Sequence, residues 1–157
     1  MGARLMLNEV EDALITRLQT IPNVTVVGTE HYIAMISKTD YLSLYFKDAQ
    51  FPLIMLNFTE GEENLKGMLP TPSFRYNFVG DIHIITRNVN LRTTLRALRD
   101  LVYKSVYKKL LEIPSPSVNG KNIIIKLSPS QQGVLNQNLQ EILYLGMFIP
   151  VEIEFYD

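Results

Sequence analysis

A chain of 157 residues, 46% hydrophobic and 20% charged, has room for one well-cored domain that buries roughly 70% of its unfolded surface, and it is too apolar for wholesale disorder. It has no cysteine, which excludes disulfides, thiolate metal sites and a cysteine nucleophile, and fits synthesis in a reducing compartment. The formal charge of −1 hides an asymmetry, with six Lys/Arg against nine Asp/Glu in residues 1–80 and nine against seven in 81–157, but the near-neutral whole argues against a dedicated nucleic-acid binder.

Met1–Leu7 is too short for a secretory signal and is followed by acidic residues. No apolar run approaches the roughly 20 residues that span a bilayer, so a soluble protein without a membrane partner is expected. Leu7, Val10, Leu14, Leu18 and Ile21 recur at spacings of 3, 4, 4 and 3, which predicts a helix over 8–21. Asn8 is placed to cap it, with Glu11 reaching back in a capping box and Pro22-Asn23 closing the element.

Short strands are expected next. Val24–Val27 is β-branched, Tyr32–Ile36 is a plausible strand, and Leu42–Phe46 alternates Leu42, Leu44 and Phe46 with Ser43 and Tyr45. Pro52 opens Leu53–Phe58, whose near-continuous apolar content predicts a strand buried on both faces. Residues 60–73 read as a long loop, because Gly61, Gly67, Pro70 and Pro72 accompany Glu60, Glu62 and Glu63.

Phe74–Thr86 then alternates as a strand. Phe74, Tyr76, Phe78, Ile82 and Ile84 take one face, Arg75, Asn77, Asp81 and His83 the other, and Gly80 suggests a bulge or bend. Asn90 is placed to cap a second helix with the apolar stripe Leu91, Leu95, Leu98, Val102 and Val106, ending before Pro114-Ser115-Pro116. Ile123–Leu127 is a further strand, Ser128–Gly133 a turn, and residues 131–140 are ambiguous. From Leu143 to Phe155 every second residue is apolar, while Gly146 and Pro150 fall on the other face and suggest a bent or edge strand. With no repeat and no linker, the expectation is one α+β domain over 1–157: a mixed, mostly antiparallel sheet with two main helices packed against it.

Catalytic chemistry finds little support. Asp81 and His83 share a strand face and could offer two metal ligands, but nothing near in sequence supplies a third and fourth, and two polar residues on a solvent-facing strand are the plainer reading. His31 stands alone in a loop. Glu60, Glu62 and Glu63 do not match a calcium-loop spacing, and a solvated loop is the plainer reading there too. Phosphate-cradling glycine loops and a nucleophile elbow are both absent. No cofactor and no enzymatic activity are expected.

The feature with functional content is the basic helix. Between Arg87 and Lys109 lie seven basic residues against the single acid Asp100, and Arg92, Arg96, Arg99 and Tyr103 recur on one helical stripe. Three readings stay open: a solvated outer face, a protein interface pairing the arginines with another subunit's acids, and a phosphate-backbone contact. Glu60, Glu62, Glu63 and Lys66 are the matching candidates on the acidic segment, which makes a contact between copies head-to-tail.

The succession of Asn8–Leu14, the apolar strand Pro52–Leu56, the acidic segment, the aromatic-rich strand 74–86, the basic helix and the closing alternating strand resembles the tail-terminator (tail-completion) and related neck proteins of tailed bacteriophages. The resemblance covers nearly the whole chain in length, element order and pattern. It implies a cofactor-free structural protein that forms a hexameric ring, though monomeric in solution, capping the tail tube and presenting a surface to the head. Its implied partners are the tail-tube protein and head-completion or connector proteins. Its implied location is the host bacterial cytoplasm during assembly, then the tail or neck of the virion.

Overall fold

The computed structural model describes residues 3–38, 41–66, 73–88, 92–135 and 143–156. In chain order these form α1 (Ala3–Leu18), β1 (Thr25–Val27), α2 (Thr29–Ser37), α3 (Tyr41–Tyr45), a 3-10 turn at Asp48–Gln50, β2 (Leu53–Lys66), β3 (Ser73–Asn88) and α4 (Arg92–Leu110). The strands β4 (Ser117–Val118), β5 (Lys121–Asn122), β6 (Ile124–Leu127), β7 (Gln131–Leu135) and β8 (Leu143–Tyr156) complete them. The main sheet runs β1-β2-β3-β8, with β6 and β7 sharing the outer side of β8, while β4 and β5 form a separate two-stranded ribbon. Among the described strands only the β1–β2 pair is parallel. This is the expected α+β class with a mixed, mostly antiparallel sheet.

Period-2 side-chain alternation divides the core into two. On one face Ile54, Leu56 and Phe58 of β2, Tyr76, Phe78, Ile82 and Ile84 of β3, and Ile149, Val151, Ile153 and Phe155 of β8 pack against α1 and α4. The helical stripe Leu7, Val10, Leu14 and Leu18 is buried there, as are Val102, Val106 and Leu110. On the other face Leu53, Met55, Ile85 and Tyr144 meet Met35 of α2 and Tyr41, Leu42 and Phe46 around α3. Leu53–Leu56 are therefore buried on both sides, as their continuous apolar run predicts.

Tertiary contacts moved several boundaries. Helix α1 starts at Ala3, so Asn8 is an interior, exposed position and not a cap. Glu11 makes no capping box; its carboxylate accepts from the Thr29 backbone N–H at 2.8 Å and the Thr29 hydroxyl at 2.9 Å. The Thr29 hydroxyl oxygen in turn accepts from the Phe58 N–H at 3.0 Å, so this chain of bonds ties α1 to the start of α2 and to β2. Arg17 reaches the other end of the layer, donating to the Lys109, Glu112 and Pro114 carbonyls at 3.1, 3.2 and 2.6 Å. It thereby satisfies acceptors that the C-terminal end of α4 would otherwise leave open.

Two expected strands are helices. Tyr32–Ile36 lies in α2 and Leu42–Phe46 in and just after α3. Leu42 and Phe46 are buried four residues apart whereas Leu44 between them is 67% exposed, which only a helical turn produces. The expected 60–73 loop is mostly hairpin: β2 continues through Lys66 and β3 begins at Ser73, leaving 67–72 outside the described residues. The irregularity expected at Gly80 lies instead in β2, between Thr59 and Glu62 and opposite Asn77–Val79, while Gly80 pairs regularly with Phe58 and Val151. Ser128–Gly133 is a turn only to its middle, since β7 starts at Gln131. The proposed cap Asn90 and stripe residue Leu91 lie outside the described residues.

Strand β8 is interior to the sheet, not at its edge. Its Pro150 sits where the outer neighbour changes from β6 to β7, and its carbonyl accepts from the Ser128 N–H at 3.0 Å. Backbone N and O of one residue project to the same side of an antiparallel strand, so the donor that proline lacks falls in that gap.

Candidate interaction surfaces

Helix α4 buries one side on the sheet and turns the other outward. The inward side carries Arg99, Val102, Val106 and Leu110, with Tyr103 and Tyr107 half-buried beside them. Arg99 is thus 4% exposed and does not belong to a solvent-facing arginine stripe. Helical spacing explains this, because 99, 102 and 106 lie on the same apolar stripe. Its guanidinium donates to the Asp100 carboxylate at 3.3 Å. The backbone of Arg92 and Arg96 lies in the first turns of α4, but their side chains lie outside the described ones. Arg87 is also turned into the protein: it lies over the Phe51 and Tyr144 rings and donates to the Phe46 carbonyl at 3.2 Å.

Tyr103 meets Tyr107 edge-on, centroids 4.7 Å apart, and the Tyr107 hydroxyl donates to the Ser128 carbonyl. Burial, followed by the hydrogen bond with Tyr103, pushes the Tyr107 hydroxyl up to about 12. Tyr107 therefore braces the helix against the β6–β7 connection, with Tyr103 packed against its ring. What α4 presents outward is Leu101, Lys104 and Lys108, with the exposed Leu111 and Ile113 just beyond its end. Lys109 pairs with Glu112 at 3.4 Å, whereas Lys104 and Lys108 have no ion-pair partner among the described residues.

Among the described residues, α2 and α3 cover the sheet's second face at one end only. Beyond α2 and α3 it continues as an open strip bearing Asn57, Thr59, Asn77, Val79, Asp81, Ile124, Lys126, Glu152, Glu154 and Tyr156. Val79, Ile124 and Tyr156 are 50%, 42% and 39% exposed. Lys126 pairs with Glu154 at 3.8 Å, while Asp81 and Glu152 have no cation partner among the described residues. Partial burial raises the Asp81 carboxyl above its ordinary value. Glu62 stands opposite Asn77 in the register; the side chains of Glu60, Glu62, Glu63 and Lys66 lie outside the described ones. The structure thus places the backbone of these four in β2, on the hairpin with β3.

His83 lies where the strip meets the covered end. Its ring sits between Tyr32, at 4.7 Å, and Phe148, at 5.5 Å, and its Nε2 is buried without a hydrogen-bond partner. Burial lowers its pKa to about 4. Asp81 and His83 do share a face, but no group of three His, Asp or Glu that could hold a metal ion occurs among the described residues. His31 shares a 2.7 Å hydrogen bond between Nδ1 and the Tyr41 hydroxyl.

Two other surface features stand apart. Ile33, Ile36, Leu44 and Tyr45 of α2 and α3 are all more than half exposed, forming an apolar outer surface. An open cleft of about 870 Å³ lies between α1, α2 and β2, lined by Glu11, Asp12, Glu30 and Ile33 among others. Its principal carboxylate, Glu11, is already engaged by Thr29. Among the described residues no helix is long and apolar enough to cross a membrane.

The open strip was partly legible in the sequence. Val151-Glu152-Ile153-Glu154-Phe155 alternates apolar and acidic residues, so the acidic face could be read there, but its neighbours Val79 and Ile124 come from distant segments. Comparison with protein-family models and with curated proteins returns no match to this chain.

Proposed function

We propose that this chain is a structural assembly protein of a phage tail or a related particle, a tail terminator whose ring caps the tail tube and joins it to the head or neck. The observation that supports this reading best is the half-covered sheet. A mixed sheet with a core on one face leaves apolar side chains exposed on the other, beside acids that have no cation partner among the described residues. Such a strip is completed by protein, because Val79, Ile124 and Tyr156 gain from leaving water and the interspersed carboxylates select a basic partner. The apolar outer surface of α2 and α3 supplies a second docking face, suited to the tail-tube protein, which leaves head-completion or connector proteins to the far side of the ring.

Assembly takes place in the cytoplasm of the bacterial host, after which the protein resides in the tail or neck. Deletion of its gene in a particle-producing host tests the reading by electron microscopy. Tubes of irregular, extended length and tails without heads are expected. Tails of normal length joined to heads would overturn it.

A further inference from the structure

Two surfaces without partners among the described residues have matching chemistry and lie on opposite sides of the sheet. Helix α4 packs on the first face of the sheet and turns Leu101, Lys104 and Lys108 away from it, with Leu111 just beyond its end, while the acidic strip is on the second face. No single chain can bring them together. We infer that the outward side of α4 docks on the open strip of a second copy, front to back; this rests on the ring-forming reading above and names the contact that builds the ring.

Charge and spacing both favour that occupant. Lys104 and Lys108 stand one helical turn apart, about 6 Å along the axis. Asp81 faces Pro150 and Val79 faces Glu152, so Asp81 and Glu152 are diagonal neighbours across β3 and β8, a separation of about 7 Å. Two cations and two acids that have no ion-pair partner among the described residues therefore meet at nearly equal spacing. Leu101 and Leu111 flank the lysines, as Val79 and Ile124 flank the acids, so each ion pair is shielded by apolar contact. The contact joins two different patches, which makes it heterologous, and repetition by rotation closes a ring.

The absence of cysteine permits a direct test by engineered disulfides. Leu101→Cys and Val79→Cys are combined in one chain and oxidised, both as purified protein and in lysates of cells making the particle. A ladder extending beyond dimers is expected, because each copy offers one thiol at each end of the contact, while in either single variant the cysteine faces no thiol across the contact and no ladder forms. Adding Lys104→Glu and Lys108→Glu lowers the cross-linked fraction about tenfold or more, and further adding Asp81→Lys and Glu152→Lys restores it. Circular dichroism checks that every variant folds. No ladder in either setting, a ladder indifferent to the charge reversals, or dimers alone would overturn the contact. The gene deletion is scored separately: long tubes without a ladder leave the terminator reading standing and remove this interface, whereas a ladder with normal tails does the reverse.

Discussion

Lowering the pH should destabilise this protein through His83 in a window that can be worked out beforehand. Its imidazole is neutral between the Tyr32 and Phe148 rings, and burial holds its pKa near about 4 against 6.5 for an unhindered histidine. Between those values the unfolded chain binds a proton that the folded chain refuses. The stability held above about pH 6.5 is therefore lost progressively as the pH falls, and the loss levels off below about 4. At about 1.4 kcal/mol per pH unit the gap from 6.5 to about 4 amounts to about 3 kcal/mol, with about 2 kcal/mol already gone near pH 5. Asp81, two positions away on the same face, works in the opposite sense. Its raised pKa means the folded chain takes up that proton first, which offsets part of the loss in the carboxylate range. Urea denaturation of wild type and His83→Phe at a series of pH values isolates the histidine term, since phenylalanine fills the aromatic gap and does not titrate. The variant should match or exceed wild type at neutral pH, because it removes a buried nitrogen without a hydrogen-bond partner, and it should lose about 2 kcal/mol less on going to pH 5. Parallel curves for the two proteins between pH 6.5 and 4.5 would refute the reasoning.

Two further substitutions probe the packing. A side chain at Gly80 would place its Cβ 2.0 Å from the Asn57 carbonyl oxygen and 2.8 Å from the Phe58 Cα, both backbone atoms of the neighbouring strand. Gly80→Ala should cost about 3 kcal/mol, the upper part of the range for overpacking, and lower the denaturation midpoint accordingly. Arg99→Glu should cost more than about 3 kcal/mol, since it buries a carboxylate beside Asp100, whereas Lys104→Glu on the outward side should stay within about 0.5 kcal/mol. Equal thermal midpoints for these two charge reversals would contradict the placement of Arg99. A triple reversal at Arg92, Arg96 and Arg99 therefore disturbs the fold as well as any docking, which is why Lys104 and Lys108 are the cleaner probes of α4.

Elements whose burial follows one local period were legible in the residues alone. The 3-and-4 spacing from Leu7 to Leu18, the stripe through Val102 and Val106, the continuous run Leu53–Leu56 and the alternation from Leu143 to Phe155 each mark a helix or strand, because a regular backbone repeats its exposure at a fixed interval. The absence of cysteine and the clustering of basic residues around α4 were equally visible.

Tertiary structure decided what local pattern leaves degenerate. Tyr32–Ile36 is apolar throughout and fits either period, and it became helix because Met35 and Tyr32 cap the end of a sheet built from β2, β3 and β8. The glycines, prolines and acids of 60–73 read as loop, yet pairing with β3 extends β2 to Lys66, since an antiparallel partner satisfies backbone groups whatever the side chains. Arg99 reads as part of a surface stripe beside the apolar face, and packing of α4 on the sheet buries it with Val102 and Val106. The candidate site follows the same rule. Glu152 and Glu154 alternate along β8 in the sequence, but Asp81, the apolar neighbours, and the position of the strip on the side opposite Lys104 and Lys108 come from strands and a helix far apart in the chain, which only packing against a common sheet brings into register.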